Sequence, residues 1–133
     1  MRPSQESLPK KTLYDIMVED NGKEYYTSYK GCRKWFDILN ECVFGNKLPF
    51  FDKVFIDKQR KHNALFCYDK ETKENDLMLN THYKSEKVFV LVMAHEMIHL
   101  FQLIYDEPLG HGVSFFIWKE NLQIHKIILS KEI

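Results

Sequence analysis

The segment of residues 88–105 constrains the fold of this chain most strongly. It is rich in Leu, Met, Ala and Ile, and Ser85 and Glu86 just before it are typical of an N-cap and a first helical turn. A helix that is apolar on most sides is buried in a domain core. Its longest unbroken apolar run, residues 88–94, is far shorter than the roughly 20 residues that span a bilayer. The sequence therefore predicts a buried central helix and no transmembrane helix.

Apolar spacing predicts the elements around this helix. Residues 29–44 carry Trp35, Leu39 and Cys42 at helical spacing, and Gly45-Asn46 should end that helix. Helical periodicity returns from residue 113 to residue 129. Three alternating stretches predict strands: residues 54–56, residues 64–68, and residues 77–79 with an extension toward His82. The predicted fold is a single α+β domain with an N-terminal helix, a small three-stranded sheet, the central helix and a C-terminal helix.

Less structure is predicted before Tyr29. Residues 1–11 lack an apolar h-region, which argues against a secretory signal and suggests a flexible leader. Asn21-Gly22 is a strong turn dipeptide between two short segments, which favours a small hairpin or loop. We therefore divide the chain into a leader with this hairpin, residues 1–28, and one domain, residues 29–133.

Composition excludes several classes of protein. The 133 residues suit one domain, and 19 basic and 19 acidic residues give no overall charge that would attract nucleic acid or anionic lipid. The three cysteines, Cys32, Cys42 and Cys67, lack CxxC spacing, which argues against a disulfide framework and a cysteine-built zinc ribbon. We expect buried thiols and a cytoplasmic monomer without membrane contact.

The central helix carries an HExxH motif, His95-Glu96-Met97-Ile98-His99. Positions i and i+4 share one face of a helix, so His95 and His99 can bind one tetrahedral zinc ion. Glu96 is rotated by about 100° and can reach a water molecule at the metal as a general base. A chance match without a metal is the alternative, but burying these polar groups without a partner would be costly.

A catalytic zinc site needs a third protein ligand. The histidines outside the motif are His62, His82, His111 and His125. We favour His111, because Gly110 and Gly112 allow a tight turn that brings the loop back over the ligand face of the helix. His125 is the main alternative as the third ligand. If it is not a ligand, we interpret it as a solvent-exposed histidine on a helix.

These residues resemble the SprT-like zinc metalloprotease domain. The motif residues 95–99 are followed by His111-Gly112, Phe115 and Trp118, similar to the HGxxF-type segment that begins with the third ligand of that family. Upstream, the similar residues are 35–44, Gly45, Leu48-Pro49, Leu77, Leu79 and Asn80. The resemblance runs from about Tyr29 to Leu122.

What the resemblance implies is a zincin-like fold and peptide-bond hydrolysis in protein substrates, with one Zn²⁺ held by His95, His99 and His111 and Glu96 as the catalytic residue. Many members carry a cysteine-based zinc ribbon after this core. This chain has no such cysteines, so we expect the minimal form of the domain.

Three further functional questions stay open at this point. Lys53, Lys58, Arg60 and Lys61 form the one compact basic stretch, which suggests a weak, local DNA contact or a strand edge guarded by lysines. The alternatives to a peptidase are a zinc-stabilised binding module for DNA or a DNA-associated partner, and a helical protein without metal. Candidate groups for stabilising an oxyanion are His82, Tyr83 and Tyr105.

Overall fold

The computed structural model describes residues 8–19, 22–58 and 62–129. Its elements, in chain order, are α1 (Leu8–Val18), β1 (Tyr25–Tyr26), α2 (Tyr29–Cys42), β2 (Lys53–Ile56), β3 (Ala64–Tyr68), β4 (Asn75–Leu79), β5 (His82–Tyr83), α3 (Glu86–Ile104) and α4 (Val113–Gln123). The predicted α+β class is confirmed.

The predicted three-stranded sheet is present, with strand order β2-β4-β3. Strand β4 pairs in parallel with β2 and antiparallel with β3, which places Leu77 opposite both Val54 and Phe66. Residues at alternate positions of β4 are buried, as expected for one face of a strand packed on a core. His82 does not extend this strand, because it belongs to β5, which pairs with β1.

Helix α3 is the centre of the core. The Ser85 hydroxyl accepts a hydrogen bond from the Val88 N–H, so the predicted N-cap is confirmed. Met97 and Ile98 are fully buried, as are most residues of the helix. By length and composition α3 also suits a membrane span, but 72% of the stretch is buried inside the domain. This burial is that of a core helix, which contacts α1, α2, β3, β5 and α4.

Helix α1 was not predicted before Tyr29, where the sequence suggested a flexible leader and a small hairpin or loop. Residues 8–18 form helix α1, which packs against α2 and α3 and buries Leu13 and Met17. These two residues are one turn apart, but two buried positions are too few to establish a helical period from the sequence. Residues 1–7 and Asn21 lie outside the described residues, and the division of the chain at residue 28 stays a prediction.

Helix α4 is shorter than predicted. It ends at Gln123, because Lys126 has a φ of 64° and the Ile127 N–H bonds back to the Leu122 carbonyl. A left-handed residue followed by this hydrogen bond is typical of a Schellman helix end. Leu122 and Ile127 are both fully buried, which supplies the apolar contact that accompanies such an end. The prediction of helix to residue 129 was therefore wrong for the last six residues.

The three cysteines are free, in agreement with the prediction that they form no disulfide. Cys32 is fully buried, and Cys42 is partly buried. Cys67 is exposed on β3, so the expectation of buried thiols was wrong for this residue. Burial raises the pKa of the Cys32 thiol to about 12, which keeps it protonated and unreactive.

Asn40 fixes the connection between α2 and β2. Its buried side-chain amide donates to the Leu48 carbonyl at 2.9 Å and accepts from the Leu48 N–H at 3.2 Å. We expect Asn40→Ala to lower the free energy of unfolding by about 2–3 kcal/mol, since two buried backbone groups lose their partners. Urea denaturation measures this loss. The exposed Asn121→Ala is the control, expected to change stability by less than about 0.5 kcal/mol; an equally small effect at Asn40 would contradict the prediction.

Candidate metal centre

Three histidine side chains converge on one point. His95 and His99 lie one turn apart on α3, and His111 lies in the loop between α3 and α4. Each pair of their Nε2 atoms is 3.2 Å apart, so the three atoms form an equilateral triangle. In a tetrahedral site with metal–nitrogen distances of about 2.0–2.1 Å, two ligand atoms are about 3.3–3.4 Å apart. The triangle therefore has the dimensions of three ligands around one small cation.

The chemistry of these contacts also favours a cation. A neutral imidazole nitrogen carries either a proton or a lone pair, so each Nε2 is a donor or an acceptor and not both. At least two of the three atoms are then of the same kind, and their 3.2 Å contact is not a hydrogen bond. A cation that receives all three lone pairs removes this conflict. The three-histidine group can thus hold a metal ion.

Burial keeps the histidines of α3 neutral. The pKa of His95 is lowered to about 3, first by desolvation and then by the neighbouring His99 and His111. The pKa of His99 is also lowered, mainly by desolvation. Metal binding requires deprotonated ligands. Both imidazoles are accordingly in the binding state at neutral pH.

The loop that carries His111 reverses the chain after α3. Asp106 and Gly110 adopt positive φ values of 56° and 111°. The value at Gly110 is one that side-chain-bearing residues rarely adopt, so the predicted need for a glycine is confirmed there. Gly112 has a φ of −86° and serves as the N-cap residue of α4, so no left-handed conformation requires a glycine at that position.

One aromatic ring contacts all three histidines. The Phe115 ring centroid lies 4.9 Å from that of His95, 5.3 Å from that of His99 and 4.5 Å from that of His111. Phe115 is buried in the first turn of α4. The imidazoles are therefore packed on an apolar surface that limits their rotation and excludes water from one side of the cluster.

Glu96 is the buried carboxyl group of the motif. It is 8% exposed, and desolvation raises its pKa to about 7. A carboxyl group with a pKa near neutrality suits general acid–base catalysis, because both protonation states are accessible. Its negative charge also contributes to the raised pKa of Tyr83.

The candidates for oxyanion stabilisation have partners elsewhere. The Tyr83 hydroxyl donates to the Asn63 carbonyl and accepts from the Asn80 N–H, and burial raises its pKa to about 12. His82 lies 3.3 Å from a carboxylate oxygen of Glu24, and the Tyr105 hydroxyl donates to the Lys47 carbonyl at 2.7 Å. None of these contacts involves the histidine cluster.

The remaining histidines lie apart from this centre. His62 is exposed, and His125 lines a surface cavity with Lys10 and Tyr14 near the end of α4. Within residues 8–19, 22–58 and 62–129, the group that can hold a metal is formed by His95, His99 and His111. The structure thus brings together the three histidines that the sequence predicts.

Sequence reasoning missed Gln102. This residue is fully buried, and its side chain bonds to the His99 ring and to the backbone of Gly110. The sequence does contain a signal for Gln102. A polar amide in an apolar helix, three residues after the second histidine, needs hydrogen-bond partners when it is buried. Those partners are visible only once the loop from residue 105 to residue 112 has been placed.

Comparison with known proteins identifies the family. The search of curated protein sequences gave no match. The sequence model of the SprT-like family matches residues 32–131, which include most of α2, the three-stranded sheet, the histidine cluster and α4. This match supports a metallopeptidase-like domain, and domains of this kind depend on a metal. The chain belongs to the SprT-like family.

Proposed function

We propose that this protein is a zinc-dependent metallopeptidase that hydrolyses peptide bonds in protein substrates. The observation that carries the proposal is the triangle of His95, His99 and His111 Nε2 atoms on the helix that also carries Glu96. Three imidazole ligands leave one position of a tetrahedral zinc ion open, which is the arrangement of catalytic zinc sites. Membership of the SprT-like family supports the same activity.

The reaction assigns separate roles to the zinc ion and to Glu96. When bound, zinc supplies a Lewis acid that polarises the scissile carbonyl and lowers the pKa of water in the site. The Glu96 carboxylate accepts a proton from the attacking water and then returns it to the nitrogen of the leaving amine. Both transfers suit a buried carboxyl group such as Glu96, whose pKa burial raises to about 7 in the absence of a metal ion.

Exposure of the cluster favours a polypeptide substrate. His95 is buried and His99 is partly buried, while His111 is exposed. The centre is therefore open on the side of the α3–α4 loop. A chain segment can reach the exposed His111 from this side, which supports an endopeptidase.

Contact with DNA is a separate proposal. Lys53 and Lys58 are exposed, whereas Arg60 and Lys61 lie outside the described residues. With a net charge of zero, such a contact would be local and weakened by salt. DNA-associated proteins are then candidate substrates, and a binding module without proteolysis is the alternative function. We also propose a cytoplasmic monomer without membrane contact.

Removal of the metal tests the proposed activity. We expect purified protein to contain about one zinc ion per chain and to cleave an unfolded protein such as casein. A chelator should abolish cleavage, and added zinc should restore it. Elemental analysis and gel electrophoresis measure the two quantities on the same samples. Cleavage that persists after the zinc has been removed would contradict a zinc-dependent mechanism.

A further inference from the structure

Gln102 is a polar side chain with no exposed surface in an otherwise apolar part of α3. Its Oε1 atom lies 2.9 Å from His99 Nδ1 and accepts from the Gly110 N–H at 3.3 Å. Its Nε2 atom donates to the Gly110 carbonyl at 3.0 Å and to the Ser114 hydroxyl at 3.4 Å. The buried amide therefore uses both its oxygen and its nitrogen.

The contacts with Gly110 determine which way the amide faces. A backbone N–H only donates and a carbonyl only accepts, so Oε1 must face the Gly110 N–H and Nε2 the Gly110 carbonyl. The atom beside His99 Nδ1 is consequently an acceptor. His99 must then carry its proton on Nδ1, which leaves the lone pair on Nε2, the atom in the triangle.

The same amide also holds the loop of the third histidine. Gly110 precedes His111, and both of its backbone polar groups bond to Gln102. Gln102 thereby positions two histidines from different segments, His99 on α3 and His111 in the loop that follows.

We propose that Gln102 is a positioning residue of the metal centre, which sets the tautomer of His99 and preorganises the His111 loop for metal binding. The inference rests on the proposed metal site. Within the described residues, His95 Nδ1 has no hydrogen-bond partner. His99 Nδ1, by contrast, is held from outside the triangle by the Gln102 amide. Loss of such an outer contact lowers metal affinity by about 10- to 100-fold.

The zinc affinities of the wild type, Gln102→Leu and Ser114→Ala test this role. Gln102→Leu removes every hydrogen bond of the amide and keeps a side chain of similar size. Ser114→Ala is the matched control, since it removes only the 3.4 Å hydrogen bond from Gln102 and the hydrogen bond to Glu107. Competition with a chromophoric chelator gives the Kd for zinc. We expect the Kd of Gln102→Leu to rise by about 10- to 100-fold. The Kd of Ser114→Ala should rise by less than about threefold.

A second measurement reports positioning directly. In the zinc-free wild type, the ¹⁵N chemical shifts of the His99 ring at a fixed neutral pH should show the proton on Nδ1, and Gln102→Leu should show a mixture of tautomers. Circular dichroism of each protein checks that the fold is retained. If Gln102→Leu does not fold, Gln102→Glu replaces it, and it should keep the Nδ1 proton because its carboxylate still accepts from His99.

The possible outcomes separate this inference from the proposed function. Wild-type zinc affinity in Gln102→Leu together with an unchanged His99 tautomer would overturn the role of Gln102 and leave the peptidase proposal intact. A Gln102→Glu protein without the Nδ1 proton would also overturn it. Failure of the wild type to bind zinc would remove the metal site on which both proposals rest. Zinc binding without proteolysis would overturn only the proposed activity.

Discussion

The Glu96→Gln protein is expected to bind zinc as the wild type does and to lose proteolysis almost completely. A glutamine side chain has nearly the same shape, but it neither accepts a proton from water nor returns one to an amine. General acid–base catalysis contributes about 10²- to 10⁴-fold, so kcat should fall by about that factor. The fold should be retained, because burial disfavours the Glu96 carboxylate and a neutral amide avoids this desolvation cost.

Three measurements on the same preparations decide this prediction: cleavage rate, zinc content and thermal unfolding. Glu120→Gln is the matched control, since Glu120 is exposed on α4 and the same change of charge there should leave all three quantities unchanged. A Glu96→Gln protein that cleaves at the wild-type rate would contradict the role of Glu96. If the protein acts by binding a partner, the substitution should leave partner binding intact.

Local patterns predicted the elements that form the metal centre. Helix α3 was predictable because a long apolar segment with an N-cap residue, Ser85, at its start is typical of a buried helix. The i, i+4 spacing placed His95 and His99 on one face, and the glycine before His111 indicated the turn that returns the loop to them. These features depend on residues close together in the chain.

Features that depend on distant residues were not predictable in this way. Strands β1 and β5 have two residues each, too few for a periodic pattern, and they are strands only because Tyr25 and Tyr83 pair across 58 positions of sequence. Helix α1 is stabilised through Leu13 and Met17 by surfaces of α2 and α3 that exist only in the folded chain. Gln102 was missed for a different reason, because its partner Gly110, eight positions later, lies in a loop without a regular pattern.

His111→Ala is expected to abolish tight zinc binding and the stability that zinc confers. The two remaining histidines offer fewer ligands than a catalytic zinc site requires. Free zinc at about 1,000 times the Kd stabilises a folded protein by about 4 kcal/mol, and this gain should appear in the wild type and be absent from the variant. Since His111 is exposed, we expect the zinc-free forms of both proteins to unfold at similar temperatures.

The comparison with His125→Ala makes this prediction specific to the ligand set. His125 lies outside the cluster, beside Lys10 and Tyr14, so its loss should leave both the zinc content and the zinc-dependent rise in Tm unchanged. Thermal unfolding with and without added zinc, combined with elemental analysis, measures both effects. If His111→Ala kept its zinc while His125→Ala lost it, the triangle of Nε2 atoms would not be the binding site. Zinc lost from both variants would indicate that binding depends on the general packing around α4 rather than on the His111 imidazole.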